Sequence, residues 1–259
     1  AIASVSRIDL LTNSDGRPSM RKRESHSLVP ISTMPLCSSP LLDEAKKAGI
    51  WSSSLPENAP LHLAMGSGEV EGNFYIGIGG KKAAGRDTLV QQVLLDRLYS
   101  YEVDASSFWQ VHVMAAQTLA ECVYGMAKPF AGKLAWDLYS GSGLFTLPLG
   151  SLFARVQSVE QAPRAVRMAR KNTGGEKKFS LSCAKVEKAL PSLSSSPDFV
   201  VADPARSGLG REVCEGLAKK GVKALAYVSC NPTTFARDCR YLTEEGYRLE
   251  QLREMGVCD

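Results

Sequence analysis

The chain has 259 residues, of which 44% are hydrophobic and 22% are charged, and its formal net charge is +4. This length is near the upper limit for one hydrophobic core, so we expect two domains, and the composition excludes a disordered chain. No run of apolar residues is long enough to cross a membrane. The mildly basic charge is compatible with a nucleic-acid partner but does not require one.

Seven cysteines are scattered along the chain, and no two of them form a Cys-x-x-Cys pair. This number and spacing predict neither a disulfide framework nor a zinc site. We therefore expect reduced thiols, no bound metal and a cytoplasmic protein. Nothing in the sequence specifies an oligomer, and we expect a monomer.

The first hundred residues are expected to form a small β-rich domain, 1–100. Alternation of apolar and polar residues predicts strands, and glycines 66 and 68 predict a hairpin turn between two of them. The predicted elements are strands over 25–31, 61–65 and 73–78, a helix over 39–48, and a flexible basic loop over 79–86.

Residues 101–259 show a different pattern, in which apolar strands alternate with amphipathic helices. Such alternation predicts parallel βαβ units and therefore a doubly wound α/β sheet. The predicted strands are 134–139, 154–160, 198–203 and 224–229, and the predicted helices are 113–127, 144–153, 162–172, 211–219 and 234–244.

A glycine loop follows the first of these strands. Gly141 and Gly143 let backbone amides approach a ligand at a helix N-terminus, and Glu160 ends the next strand, where it is suited to ribose hydroxyls. This pair fits a dinucleotide or S-adenosylmethionine. A dinucleotide fold needs a third glycine, and Thr146 occupies that position, which favours S-adenosylmethionine. A nicotinamide or flavin cofactor and a non-binding shell remain alternatives.

Reactive side chains follow the third and fourth predicted strands. Asp203 and Cys230 should lie at the same sheet edge as Asp137 and Glu160, because the carboxyl ends of parallel strands share an edge. A cysteine held there can act as a nucleophile or be an inert core residue. Threonines 233 and 234 are expected to cap the next helix.

Residues 227–238, with the sequence YVSCNPTTFARD, carry a resemblance to a known family. They resemble the SCNPxTxARD signature of the RNA (uracil-C5)-methyltransferases, and residues 107–112 and 137–149 are also similar to segments of that family. The resemblance spans about residues 20–259. It implies a Rossmann-like class I methyltransferase fold, S-adenosylmethionine as cofactor, and ribosomal or transfer RNA as partner.

The family's mechanism assigns roles to residues of this chain. Cys230 is expected to add to C6 of uracil, and Asp203 to orient the base or the transferring methyl group. The expected cofactor-binding residues are Gln110, Asp137, Tyr139, Gly141, Gly143, Glu160 and Asp203.

Two departures from the family concern the chain ends. The family's general-base glutamate lies in a segment that begins with an aspartate like Asp259, the last residue here. Cys37 resembles one ligand of an iron–sulfur cluster whose other three cysteines are absent, so we expect no cluster. Both departures suggest a piece of a longer protein that is open at both ends.

Other functions and interfaces stay open. An RNA cytosine-C5 methyltransferase would need a second cysteine in the segment 203–206, which has none, and a non-catalytic RNA-binding relative is a further alternative. Basic residues 21–23 and 81–86 are candidates for phosphate contacts, and 219–223 are weaker ones; each of these groups is otherwise a solvated surface.

Overall fold

The computed structural model describes residues 4–23, 25–52 and 54–256. The chain folds into two compact units. The first contains Ala1–Gln92 and Glu102–Ala116, and the second contains Val93–Tyr101 and Gln117–Asp259. Asp259, which resembles the first residue of the family's general-base segment, lies outside the described residues.

The first unit is built on a six-stranded antiparallel sheet in the order β3-β2-β1-β4-β5-β6. The strands are β1 (Arg7–Thr12), β2 (Pro18–Arg21), β3 (Leu28–Pro30), β4 (Pro60–Met65), β5 (Phe74–Ile78) and β6 (Lys81–Gly85). Helix α1 (Ser39–Lys47) buries Leu41 and Ala45, one turn apart, among apolar side chains of the sheet. The β-rich fold predicted for the N-terminal part of the chain is thus confirmed.

The prediction of a flexible loop over 79–86 is wrong. Residues of this segment form β6, an edge strand that pairs with β5. Gly79 and Gly80 have positive φ values of 60° and 77° and make the tight turn that returns the chain. Glycine and lysine content suggested a loop, but backbone pairing with a neighbouring strand decided the structure.

A two-stranded hairpin of β7 (Thr88–Leu94) and β8 (Leu98–Asp104) carries the chain between the units. The second unit contains a parallel sheet in the order β11-β10-β9-β12-β13. Its strands are β9 (Gly132–Leu138), β10 (Phe153–Glu160), β11 (Phe179–Cys183), β12 (Phe199–Ala202) and β13 (Leu225–Tyr227).

Helices connect these parallel strands, which confirms the doubly wound α/β prediction. They are α2 (Ala115–Ala127), α3 (Thr146–Leu152), α4 (Pro163–Asn172), α5 (Val186–Ala189), α6 (Arg211–Lys219) and α7 (Pro232–Glu244), with short 3-10 turns at Lys128–Phe130 and Leu190–Ser192. The central strand β9 is buried from Leu134 to Leu138, and all of these residues except Asp137 are apolar, as expected for a strand covered on both faces.

Sequence patterns missed one strand and one helix of this unit. Strand β11 is a half-exposed edge strand, and α5 has only four residues, so neither carries a clear apolar period. The strand over 199–202 is therefore the fourth of the sheet in chain order. The order of strands reverses between β9 and β12, and in such folds ligands bind beyond the carboxyl ends at that point.

Candidate active site

The glycine loop begins directly after β9 and turns sharply. Tyr139, Gly141 and Gly143 have positive φ values of 63°, 53° and 95°. A Cβ atom at Gly141 would meet nothing within 4 Å, so this side of the loop is open. The loop therefore borders open space beside Gly141 at the end of the sheet, while the amides of Ser140, Gly141 and Gly143 donate to acceptors within the protein.

Glu160, the last residue of β10, holds this loop against the next helix. Its Oε2 accepts a hydrogen bond from the Gly141 amide at 3.0 Å, and its Oε1 accepts one from the Ala162 amide at 2.7 Å, where α4 begins. Each carboxylate oxygen keeps a further acceptor position. Glu160 thus supports the loop and remains able to accept a ligand hydroxyl.

Asp137 is fully buried beneath the loop, and only one of its oxygens is hydrogen-bonded. Oδ2 accepts a hydrogen bond from Thr146 Oγ1 at 2.6 Å, whereas Oδ1 has no partner among the described residues. Burial, the main cause, and the charges of Asp203 and Glu160 raise the pKa of Asp137 to about 7, against the hydrogen bond from Thr146. A buried carboxylate oxygen without a donor is costly and suits a cationic ligand.

Asp203 follows β12, the strand beside β9. Its backbone amide donates to the Leu138 carbonyl at 3.3 Å, which continues the pairing of the two strands. Its side chain makes no hydrogen bond to another described residue, and burial raises its pKa to about 7. Asp137 and Asp203 therefore bring two carboxyl groups to the ends of adjacent strands. Few hydrogen bonds from the protein offset the cost of burying them.

Cys230 lies three residues beyond β13 and is exposed. The residue after it, Asn231, caps α7, because its Oδ1 accepts a hydrogen bond from the Thr233 amide at 3.0 Å. The prediction that threonines 233 and 234 form the cap is therefore wrong. The cap fixes the chain direction immediately after the cysteine, since Pro232 starts the helix.

The loop that contains Asp203 is hydrogen-bonded to the loop that contains Cys230. The carbonyl of Arg206 accepts from Asn231 Nδ2 at 3.2 Å and from Thr234 Oγ1 at 3.0 Å. Strands β9, β10, β12 and β13 run parallel, so Asp137, Glu160, Asp203 and Cys230 lie at one edge of the sheet. This is the position that the sequence predicted for these four residues.

No family model matches the chain. An uncharacterized RNA methyltransferase of Bifidobacterium longum (strain NCC 2705) is 35% identical over 272 residues, which cover 97% of this chain and 62% of the relative. An uncharacterized RNA methyltransferase of Streptomyces coelicolor is 30% identical over 278 residues, with 95% and 59% covered. The chain is a relative of bacterial RNA methyltransferases. It spans about three fifths of the length of these two proteins.

A solved structure shares the fold of this RNA methyltransferase relative. The tRNA (uracil-54, C5)-methyltransferase of Pyrococcus abyssi, in complex with S-adenosyl-L-homocysteine, matches it with a TM-score of 0.74 and 22% identity, covering 96% of this chain and 71% of the other. The Rossmann-like methyltransferase fold predicted from the sequence is confirmed.

Two predicted site residues have surroundings that the sequence did not indicate. The ring of Tyr139 packs against the apolar core of the second unit, and burial raises its pKa above the usual range. Gln110 belongs to the first unit, in the chain segment that follows β8 and precedes α2, and it is half-buried. Within the described ranges no cluster of side chains is suited to hold a metal ion, and no helix is long and apolar enough to span a membrane.

The sequence patterns did not predict the structural role of Asp238, which lies in the segment 227–238. Asp238 is fully buried in the middle of α7 and accepts hydrogen bonds from the amides of Leu209 and Gly210 and from the hydroxyl of Tyr227. A signal was present, because Asp238 and Leu242 are four residues apart and share the buried face of the helix. A carboxylate on an apolar helix face indicates a polar network.

Proposed function

We propose that this protein transfers a methyl group from S-adenosylmethionine to C5 of a uridine in ribosomal or transfer RNA, using Cys230 as nucleophile. One observation carries the proposal: the exposed cysteine lies at the same sheet edge as an open glycine loop and two uncompensated carboxyl groups. The relatives named RNA methyltransferases support RNA as the substrate class.

The residues present fit the cofactor. Its methylated sulfur and its amino group are cationic, and the unpartnered Oδ1 of Asp137 and the carboxyl group of Asp203 are acceptors suited to positive charge. Glu160 has acceptor positions for ribose hydroxyls, and Gly141 and Gly143 provide the loop. The proposal also includes Tyr139 through its backbone, and Gln110.

The proposed chemistry starts at Cys230. The thiolate adds to C6 of uracil, so that an S–C6 bond forms and the electron pair of the C5–C6 double bond moves to C5. When bound, S-adenosylmethionine would supply the methyl group: a C5–CH3 bond would form with the electron pair on C5, the S–CH3 bond would break, and the sulfur would leave as a neutral thioether. The proton on C5 then leaves to a base, the S–C6 bond breaks, and the thiolate returns. In the family that this sequence resembles, the base lies in the segment that starts at the position of Asp259.

A uridine inside a helix would have to leave its stack to reach Cys230. We propose that residues 1–100 form the domain that contacts RNA and that residues 101–259 form the catalytic domain. Basic residues 21–23 and 81–86 in the first of these are candidates for phosphate contacts.

Covalent trapping tests the nucleophile. RNA that contains 5-fluorouridine cannot lose a proton from C5, so with S-adenosylmethionine it should stay bonded to Cys230 and form a complex stable on a denaturing gel. Cys230→Ala should abolish this complex. Cys183→Ala is the matched control, because Cys183 is also an exposed cysteine and is the last residue of β11 in the same sheet. A complex that survives Cys230→Ala would refute the assignment.

A further inference from the structure

We propose that a hydrogen-bonded clamp, formed by Asn231, Thr234, Arg237 and Asp238 with the loop 203–210, positions Cys230 against Asp203 for the addition step. The inference rests on the proposed function and adds positioning residues to it. These four side chains follow the cysteine closely on α7 or its cap, and all of them bond to the loop after β12.

The first part of the clamp is the Arg206 carbonyl. It lies three residues after Asp203 and accepts from Asn231 Nδ2 at 3.2 Å and from Thr234 Oγ1 at 3.0 Å. The Thr234 hydroxyl also lies 3.2 Å from the Asn231 carbonyl, one turn back in the chain. Two donors from the segment after Cys230 therefore fix one carbonyl of the segment after Asp203.

The second part is the buried carboxylate of Asp238. Its Oδ2 accepts from the Leu209 amide at 2.7 Å and the Tyr227 hydroxyl at 2.8 Å, and its Oδ1 accepts from the Gly210 amide at 3.2 Å. Arg237 donates to the same Oδ1 at 2.8 Å and to the Ser207 carbonyl at 2.7 Å. The carboxylate thus joins the end of β13, helix α7 and the loop after β12.

Geometry separates the clamp from the glycine loop. None of these clamp bonds involves residues 139–143 or Glu160, which belong to the loop after β9 and the end of β10. Asp203, the cofactor-binding candidate in the clamped loop, is also held by its backbone bond to the Leu138 carbonyl. A change in the clamp should therefore alter the approach of the thiol to the base more than it alters cofactor affinity. A residue that only supports the fold would change both the rate of complex formation and the affinity for the cofactor, or would change neither.

Thr234 allows the most conservative test. Thr234→Val keeps the shape of the side chain and removes the hydroxyl, whereas Thr234→Ser keeps the hydroxyl. We expect Thr234→Val to slow formation of the 5-fluorouridine complex roughly fivefold, the effect of one lost hydrogen bond. Its affinity for S-adenosylmethionine by calorimetry should change less than about twofold. Thr234→Ser should restore the rate.

Thr243→Val is the matched control. Thr243 lies on the same helix, and its hydroxyl donates to the Cys239 carbonyl at 2.9 Å within that helix. The substitution removes an equivalent hydrogen bond that does not reach the loop 203–210. We expect it to leave the rate of complex formation unchanged.

A second measurement does not depend on RNA. Iodoacetamide alkylation, followed by peptide mass spectrometry, reports the reactivity of Cys230 relative to Cys183 in the same molecule. Thr234→Val should change this ratio threefold or more, and Thr243→Val should not. An unchanged alkylation ratio would overturn the clamp. So would equal rates of 5-fluorouridine complex formation by Thr234→Val and the unmodified protein, where both form the complex. If the unmodified protein forms no complex while the ratio still responds to Thr234→Val, the proposed function fails and the clamp stands.

Discussion

Gly208 is a glycine whose position in the chain is explained by its contact with Asp238, a residue of helix α7. Its backbone has a φ of +76°, a conformation that only glycine adopts easily, and a Cβ atom there would collide with Oδ2 of Asp238. The glycine therefore allows the loop after β12 to lie directly against a buried carboxylate. Two amides of that loop then reach the carboxylate oxygens.

We expect Gly208→Ala to lower the free energy of unfolding by about 3 kcal/mol or more, since the backbone strain adds to the collision. Gly246→Ala is the control. Gly246 has a similar φ of +90°, but a Cβ atom there meets nothing within 4 Å, so only the strain of about 1 kcal/mol remains. Urea unfolding of the two variants measures the difference. Equal losses would show that the loop can move away from Asp238.

Strand β12 is flanked by two aspartates in opposite environments. Asp198 precedes the strand, and its carboxylate accepts from the backbone amides of Leu134 and Lys133 and pairs with Lys223. The hydrogen bond from Leu134 is the largest cause of a lowered pKa at Asp198, which burial opposes. At the other end, burial raises the pKa of Asp203 to about 7. At the carboxyl end of β12, where the site lies, the charged form of Asp203 is therefore unfavourable. At the other end the charged form of Asp198 is stabilised.

These shifts predict opposite effects of pH. The folded protein retains the proton of Asp203 above about pH 4, where the unfolded chain loses it, so the contribution of this group to stability falls as pH rises from 4 to above 7. Asp203→Asn should therefore be more stable than the unmodified protein at pH 8, by on the order of 1 kcal/mol, with a smaller advantage at pH 5.

Asp198→Asn is the control with the opposite sign. A lowered pKa stabilises the fold above the unfolded pKa, and this contribution is lost as pH falls through the lower folded value. The variant should be less stable than the unmodified protein at neutral pH, with a smaller deficit in acid. Urea unfolding between pH 3 and 8 tests both variants. A stability advantage of Asp203→Asn that is independent of pH would contradict the electrostatic explanation.

The secondary-structure elements show where sequence patterns are sufficient. Buried strands β9 and β12 carry continuous apolar runs, and α6 was predicted with the bounds that the structure has. Edge strands β6 and β11 were missed, because their residues are mostly exposed or half-exposed and only pairing with a neighbouring strand defines them. Strands β1, β2, β7 and β8 were also not predicted, although alternate residues of β7 and β8 are buried. Periodicity reports burial, so an element with little burial leaves little pattern.

At the scale of the whole molecule, the net charge of +4 is small for a protein proposed to bind RNA. The positive groups on β6 are therefore of interest. Lys81 and Lys82 are exposed at the edge of the first unit's sheet, and Lys82 pairs with Asp87 at 2.6 Å. Lys81 is the better candidate for a phosphate contact, since it forms no ion pair with an acidic side chain of the described residues.

Lys81→Ala should weaken RNA binding a few-fold and lower the slope of log affinity against log salt concentration by about 1, because one phosphate contact is lost. Lys219→Ala is the control: this lysine is exposed on α6 and pairs with Glu215 at 3.7 Å. Filter binding at several salt concentrations measures both. An unchanged salt slope for Lys81→Ala would exclude this strand as a phosphate contact.

The sequence by itself determined the α/β class, the relationship to RNA methyltransferases and the sheet edge at which Asp137, Glu160, Asp203 and Cys230 lie. Local patterns suffice for these, since apolar runs specify buried strands and parallel strands share an edge. Only the tertiary structure showed that Asp238 joins the loops around the cysteine, that Asn231 caps α7 and that Asp137 has an unpartnered oxygen. The bonds of Asp238 to Leu209 and Gly210 join residues distant in the chain, which no local pattern specifies. The Asn231 cap, by contrast, is a local contact in a segment where the neighbouring threonines were equally suitable caps.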